Sequence, residues 1–185
     1  MRIKIFVLLC LTAIMQFTGV TPLKASHYYY KQLSLKDGVT SAVRCILTDK
    51  QGFVWIGTKA GISRYDGHEL KKYVHSPNNP HSIPNNLIHQ IAEDEMSNIW
   101  ILTDKGIARY QRQSDDFFLP TDEKGNPIIA YSTCLTKDGV LFGSKDKVYF
   151  YSYRDSSLRL LQKLNKGSNF NISLLSLWNE HTVLC

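Results

Sequence analysis

The sequence predicts an all-β chain. The expected fold is an incomplete β-propeller of four-stranded antiparallel blades, about three blades plus part of a fourth, preceded by a signal peptide. Three observations predict it. A stretch of twenty residues recurs after 45 positions, and fainter copies follow. Each copy divides into short apolar runs separated by Gly- and Asp-containing turns, the pattern of strands and hairpins. Aromatic residues make up 11% of the 185 residues, ten of them Tyr, and such residues favour a pleated, half-buried surface.

The elements follow in chain order. Residues 1–25 read as a secretory signal: Arg2 and Lys4 precede an uncharged, mostly apolar run from Ile5 to Val20, with Ala25 as the cleavage position. That run is shorter than the ~20 residues a membrane span needs; an uncleaved anchor is the rival reading. Residues 26–42 are expected to hold an N-terminal strand and lead-in, and the propeller repeats to cover 43–86, 87–128, 129–169 and a truncated 170–185.

The first two repeats align without gaps. Ile46 to Tyr65 matches Ile91 to Tyr110 at nine of twenty positions, among them Asp49/Asp94, Trp55/Trp100, Gly61/Gly106, Arg64/Arg109 and Tyr65/Tyr110. The third copy is shifted by 41: Val140–Ser144 matches Val54–Thr58, with Leu141 in place of Trp and Lys147 in place of Gly. In the fourth, Val183–Cys185 corresponds to Val54–Ile56, so the sequence stops inside a strand. A period of 40–45 with four strands per unit is the propeller signature.

Within the first unit we expect strands at Val43–Thr48, Phe53–Thr58, Ile62–Tyr65 and Glu69–Val74. Asp49 to Gly52, Lys59 to Gly61 and Asp66-Gly67 are turns, where Asp bonds nearby backbone and Gly accepts positive φ. Ser76–Asn86, rich in Pro, Asn and Ser, is a linker. Gly57 and Gly143 lie within strands and predict close backbone approach near the propeller axis, although Leu102 breaks the pattern.

Charge and cysteines narrow the function classes. The formal charge is +6, but Arg2, Lys4 and Lys24 belong to the leader, leaving 19 basic and 16 acidic residues. No basic run interleaved with aromatics occurs, so nucleic acid is not an expected partner. Cys10 falls in the leader, and Cys45, Cys134 and Cys185 have no metal spacing. They are read as small apolar side chains rather than a disulfide framework.

The motif Asp49-x-x-Gly52-Phe53-Val54-Trp55-Ile56-Gly57-Thr58, followed by Gly61 through Gly67, and the run Asp94 through Tyr110 resemble the two-component regulator propeller repeat. The approach Leu33-Ser34-x-x-Asp37-Gly38-Val39-Thr40 and the segment Asn79-Pro80-x-Ser82-Ile83-Pro84-Asn85-Asn86 are also similar to that family. The resemblance implies the periplasmic sensor region of a hybrid two-component regulator of the Bacteroidetes. Such parents add a β-sandwich, a membrane helix, a histidine kinase, a receiver and a DNA-binding domain, and switch on genes for polysaccharide use. It implies an oligosaccharide ligand or a periplasmic partner protein, a homodimeric parent, export to the periplasm, and membrane attachment only through downstream segments.

No catalytic residue, cofactor or metal site is expected in this chain. No P-loop, G-x-S-x-G, H-E-x-x-H or C-x-x-C motif occurs, and the six His are not paired at ligand spacing. Asp49 with Asp94 could be an acid–base pair, and Trp55 with Trp100 could be sugar platforms. Their recurrence at equivalent positions favours architecture, as it does for Gly61, Gly106, Tyr65, Tyr110, Arg64 and Arg109. One functional signal remains: the turn between second and third strands carries Lys59, Lys105, and Lys145 with Lys147, cations that could attract an anionic sugar. A catalytic propeller, such as a polysaccharide lyase or glycosidase, and a pure interaction scaffold are the alternatives.

Overall fold

The computed structural model describes residue 32, residues 41–163 and, as backbone alone, 176–179 and 182–184. The predicted signal peptide and most of the lead-in lie outside the described residues. Backbone contacts divide the chain into residues 1–32 and 33–185, and every strand below belongs to the second unit.

Three four-stranded antiparallel sheets follow one another, each in simple sequence order, as successive propeller blades. The first holds β1 (Val43–Thr48), β2 (Val54–Thr58), β3 (Gly61–Tyr65) and β4 (Leu70–Tyr73). The second holds β5 (Ile88–Glu93), β6 (Ile99–Thr103), β7 (Gly106–Gln111) and β8 (Asp116–Phe118). The third holds β9 (Ser132–Leu135), β10 (Gly139–Gly143), β11 (Lys147–Ser152) and β12 (Leu158–Lys163). A further antiparallel pair comprises β13 (Ser176–Asn179) and β14 (Thr182–Leu184). No helix occurs among the described residues.

Two strands begin a residue later than expected, for a common reason. The Phe53 amide donates to Asp49 Oδ1 at 2.9 Å, and the Glu69 amide donates to Asp66 Oδ1 at 2.7 Å. Both residues are thereby held in Asp-capped turns, outside the ladder.

The second strand of each blade is buried on both faces, which is why it reads as a continuous apolar run. The cores lie between blades. Trp55, Ile62, Tyr73, Ile83, Ile88, Ile91, Ile99, Ile101, Ala108, Tyr110 and Phe117 form the first seam. Trp100, Leu102, Ile107, Ile128, Ala130, Val140, Phe142, Tyr149, Tyr151 and Leu158 form the second. The linkers contribute: Ile83 is fully buried, and the Ser76–Asn86 segment is pinned by His75 N to Asn86 Oδ1 (2.7 Å) and Ser82 Oγ to Ser76 O (3.0 Å).

Two glycines are sterically required. Gly61 has φ +113°, and a Cβ there would stand 2.5 Å from the Tyr73 carbonyl oxygen. At Gly57 a Cβ would meet Cys45 Sγ at 2.5 Å and Ile88 Cγ2 at 2.8 Å. The close approach expected at Gly57 is therefore made by side chains of its own and the next blade, not by backbone.

Candidate functional site

The two described seams are built from one repeated unit. Asp49 Oδ1 accepts the amides of Gln51 (3.0 Å) and Phe53 (2.9 Å), closing the β1–β2 turn. Its Oδ2 accepts the Trp55 indole N–H at 3.0 Å. In the second blade Asp94 Oδ1 accepts the Asn98 amide at 2.8 Å, and Oδ2 accepts the Trp100 indole at 2.7 Å. Both carboxylates and both rings are buried. A buried indole N–H and a buried carboxylate each need a partner, and here they satisfy one another.

Each Trp then packs on a Tyr of the following blade. Trp55 meets Tyr110 edge-on, with centroids 4.8 Å apart and planes at 65°, and Trp100 meets Tyr151 at the same 4.8 Å and 65°. Each Arg crosses the seam as well: Arg64 Nη1 donates to the Tyr110 hydroxyl, and Arg109 Nη1 to the Tyr151 hydroxyl at 2.6 Å. The guanidinium of Arg64 lies 4.8 Å over the Phe53 ring, and that of Arg109 lies 5.0 Å over Phe118. Trp, Arg and the next blade's Tyr thus act as one clasp.

Around this unit the seams diverge. In the first, Asp115 from the β7–β8 turn gathers Arg64 Nη1 (3.3 Å), Lys71 Nζ and the hydroxyls of Tyr73 (2.6 Å) and Tyr110. Burial pushes the Asp115 carboxyl up, but the donors Lys71, Tyr110 and Tyr73 with the Lys71 charge outweigh it and hold it at about 2. Burial and the bond to Asp115 push the Tyr73 and Tyr110 phenols up. Arg112 Nη2 reaches back to Asp49 Oδ2 at 3.0 Å, and Arg112 Nη1 to Gln51 Oε1 at 2.8 Å. Asp49 is raised by burial but lowered further by Trp55, Arg112 and Phe53, so it stays ionised below the usual carboxylate range.

In the second seam Tyr153 approaches Asp94 from the third blade. Its buried hydroxyl faces the Asp94 carboxylate, and burial first, then the Asp94 and Glu95 carboxylates, push its pKa up. It is a neutral donor at any physiological pH.

These side chains border two adjoining hollows at one end of the blades. One, of about 510 Å³, runs past Gln51, Met96, Asn98, Arg109, Arg112 and Gln113; the other, of about 200 Å³, is lined by Met96, Asn98, Arg109, Tyr151, Tyr153 and Ser156. A third, of about 320 Å³, lies between the 122–126 turn and Lys147. Lys59, Lys105 and Lys145 are exposed in the β2–β3, β6–β7 and β10–β11 turns, and none lines these hollows. In antiparallel blades those turns lie at the end opposite the turns that carry Asn98 and Ser156. Among the described residues no cluster of His, Cys, Asp and Glu could hold a metal ion.

A fold of tandem four-stranded blades, clasped by a repeated Asp–Trp–Tyr–Arg unit, is that of a β-propeller. The chain carries the repeat expected of it: residues 37–60 match the family model described as Two component regulator propeller. A curated relative, "Histidine kinase P4" of Formosa agariphila, is 37% identical over 59 residues, 31% of this chain and 4% of that protein. The extracellular domain of a Bacteroides thetaiotaomicron protein described as the hybrid two component system BT3049 superposes with TM-score 0.68 at 17% identity, over 83% of this chain and 23% of its own. That of BT4673, from the same organism, gives TM-score 0.54 at 24% identity, over 75% of this chain and 17% of its own. The chain therefore spans about a quarter or less of the length of these relatives, and at such identities the structural likeness concerns the fold.

Proposed function

We propose that this chain is the recognition part of the exported, periplasmic sensor region of a hybrid two-component regulator, and that it responds to oligosaccharides. The observation that carries this reading is the regulator-propeller repeat at residues 37–60, whose Asp–Trp frame recurs in the second blade. The kinase, the membrane anchor and a homodimeric arrangement belong to the longer protein. The role of the chain is then to bind, not to catalyse. Asp49 and Asp94 speak for this, because each is buried and already accepts from its own Trp, so neither is placed to exchange a proton with a substrate. Lys59, Lys105 and Lys145 would add a charged edge at the other end of the blades.

The test is transcriptional. Cells carrying the full-length gene are shifted onto single purified oligosaccharides, alongside cells whose copy lacks residues 43–163 but retains the downstream domains. We expect an inducing oligosaccharide whose response disappears with the deletion. An unchanged response in the deleted strain would overturn the reading.

A further inference from the structure

The two seams share one plan, and the places where they differ in charge mark a site. In the first, Arg64 and Tyr110 receive the carboxylate of Asp115. Asp115 follows Tyr110 by five residues and has φ 55°; Ser156 follows Tyr151 by five residues and has φ 53°. They occupy the same left-handed position of the same turn. The registers extend the match: Arg64 pairs with Lys71 across β3–β4, and Arg109 pairs with Phe118 across β7–β8. The second seam therefore keeps the Arg–Tyr pair but has Ser where the carboxylate stood and Phe where the second cation stood.

The consequence is a cation with its natural counter-charge removed. Among the described residues no carboxylate forms an ion pair with Arg109, whereas Arg64 has Asp115 and Arg112 has Asp49. The Arg109 guanidinium instead borders the hollow of about 200 Å³, together with Tyr151, Tyr153 and Ser156. Tyr153 brings a buried hydroxyl that faces Asp94, as Arg112 faces Asp49 in the first seam. Tyr151, like Tyr110, accepts from its Arg; the Tyr110 O–H goes to Asp115, and Tyr151 has no such carboxylate at Ser156. The buried Asp94 carboxylate is already held by Trp100 and Asn98.

We propose that this hollow is an anion subsite, in which Arg109 and the hydroxyls of Tyr151 and Ser156 take a carboxylate or sulfate group of a ligand. The ligand group would stand where Asp115 stands in the first seam. A guanidinium fork suits either oxyanion, and the Phe118 ring shields one of its faces from water, which strengthens the pairing. That the anion is carried by a saccharide rests on the sensor reading; the anion site itself does not. Met96, Asn98 and Arg109 also border the larger hollow, which leaves room for the rest of such a ligand.

The test is direct binding to the full-length protein by titration calorimetry, with digalacturonate, galactose 6-sulfate and neutral galactobiose as probes. We expect an acidic probe to bind at least tenfold more tightly than galactobiose, and the better of the two to tell carboxylate from sulfate. Arg109→Gln should weaken that probe at least tenfold. Ser156→Asp supplies the carboxylate internally, so it should abolish acidic-probe binding while leaving the thermal midpoint equal or higher. If no acidic probe outbinds galactobiose, or if Ser156→Asp binds as the parent does, the proposal is wrong. Because binding is read without signalling, a missing transcriptional response would count against the sensor reading and leave this one standing.

Discussion

Replacing Asp115 by Asn isolates one charge at a blade seam. The amide is isosteric and still accepts from Tyr73 or Tyr110, but it has no charge for Arg64 and Lys71. The native carboxyl lies at about 2 against an ordinary 3.8. At ~1.36 kcal/mol for each pH unit the difference is worth ~2.4 kcal/mol at neutral pH. The Asp115 side chain is 30% exposed and that of Lys71 54%, so solvent screening reduces the contribution to about 1–2 kcal/mol.

The pH dependence has a definite sign. A carboxyl depressed in the folded state stabilises it fully above the unfolded value of 3.8, and the contribution is lost as pH falls toward about 2. Asn does not titrate. Urea unfolding of the full chain at pH 7, 4 and 2 should therefore give the parent an advantage of about 1–2 kcal/mol at pH 7 that closes by pH 2. An advantage that is constant across that range, or none at pH 7, would refute the assignment of Asp115 as an ionised seam group.

Three further outcomes follow from the same geometry. Trp55→Ala and Trp100→Ala each remove a fully buried ring and should cost about 3–5 kcal/mol by chemical denaturation; an unchanged melt would show the ring dispensable. Gly61→Ala should cost about 1–3 kcal/mol, since Ala at φ +113° is strained and its Cβ meets the Tyr73 carbonyl; a melt within error of the parent would contradict this. Asp94→Thr should destabilise when Trp100 is present and do little in a Trp100→Leu background, a coupling of about 0.5–3 kcal/mol in a double-mutant cycle; additive effects would show that the two residues are independent.

The blades were legible because their signals are local. Strand lengths, Asp- and Gly-bearing turns and a 45-residue period all lie within one copy, and the described sheets follow them closely. The seams were less legible because their partners come from different copies. Asp49 can be read as a turn residue from its neighbours, but its bond to Trp55 six residues on depends on how the turn delivers the strand. A trace of it was visible: Asp and Trp recur six apart twice. Asp115 carried no such trace, since it belongs to no repeated motif and gathers Arg64, Lys71 and Tyr73 from the preceding blade. Only the packing of two sheets brings these together.

The third blade shows which residues travel as a unit. By the β9–β10 and β10–β11 registers, Thr136 stands where Asp94 does, Leu141 where Trp100 does, and Phe150 where Arg109 does. Thr136 still closes its turn, accepting the Gly139 amide at 3.0 Å, so the turn alone never required a carboxylate. The carboxylate is present where an indole N–H must be satisfied and absent where Leu replaces the ring. A buried carboxylate without its donors would cost several kcal/mol, so losing Trp removes the reason for Asp. Losing Trp also removes the ring over which the Arg lies, and Phe150 accordingly joins Cys134, Leu141 and Val148 in a small apolar cluster. Among the described clasps, charge therefore comes with its partners. Arg109 breaks that rule, keeping its Tyr while its carboxylate is replaced by Ser156, and the broken set opens onto a hollow rather than into a core.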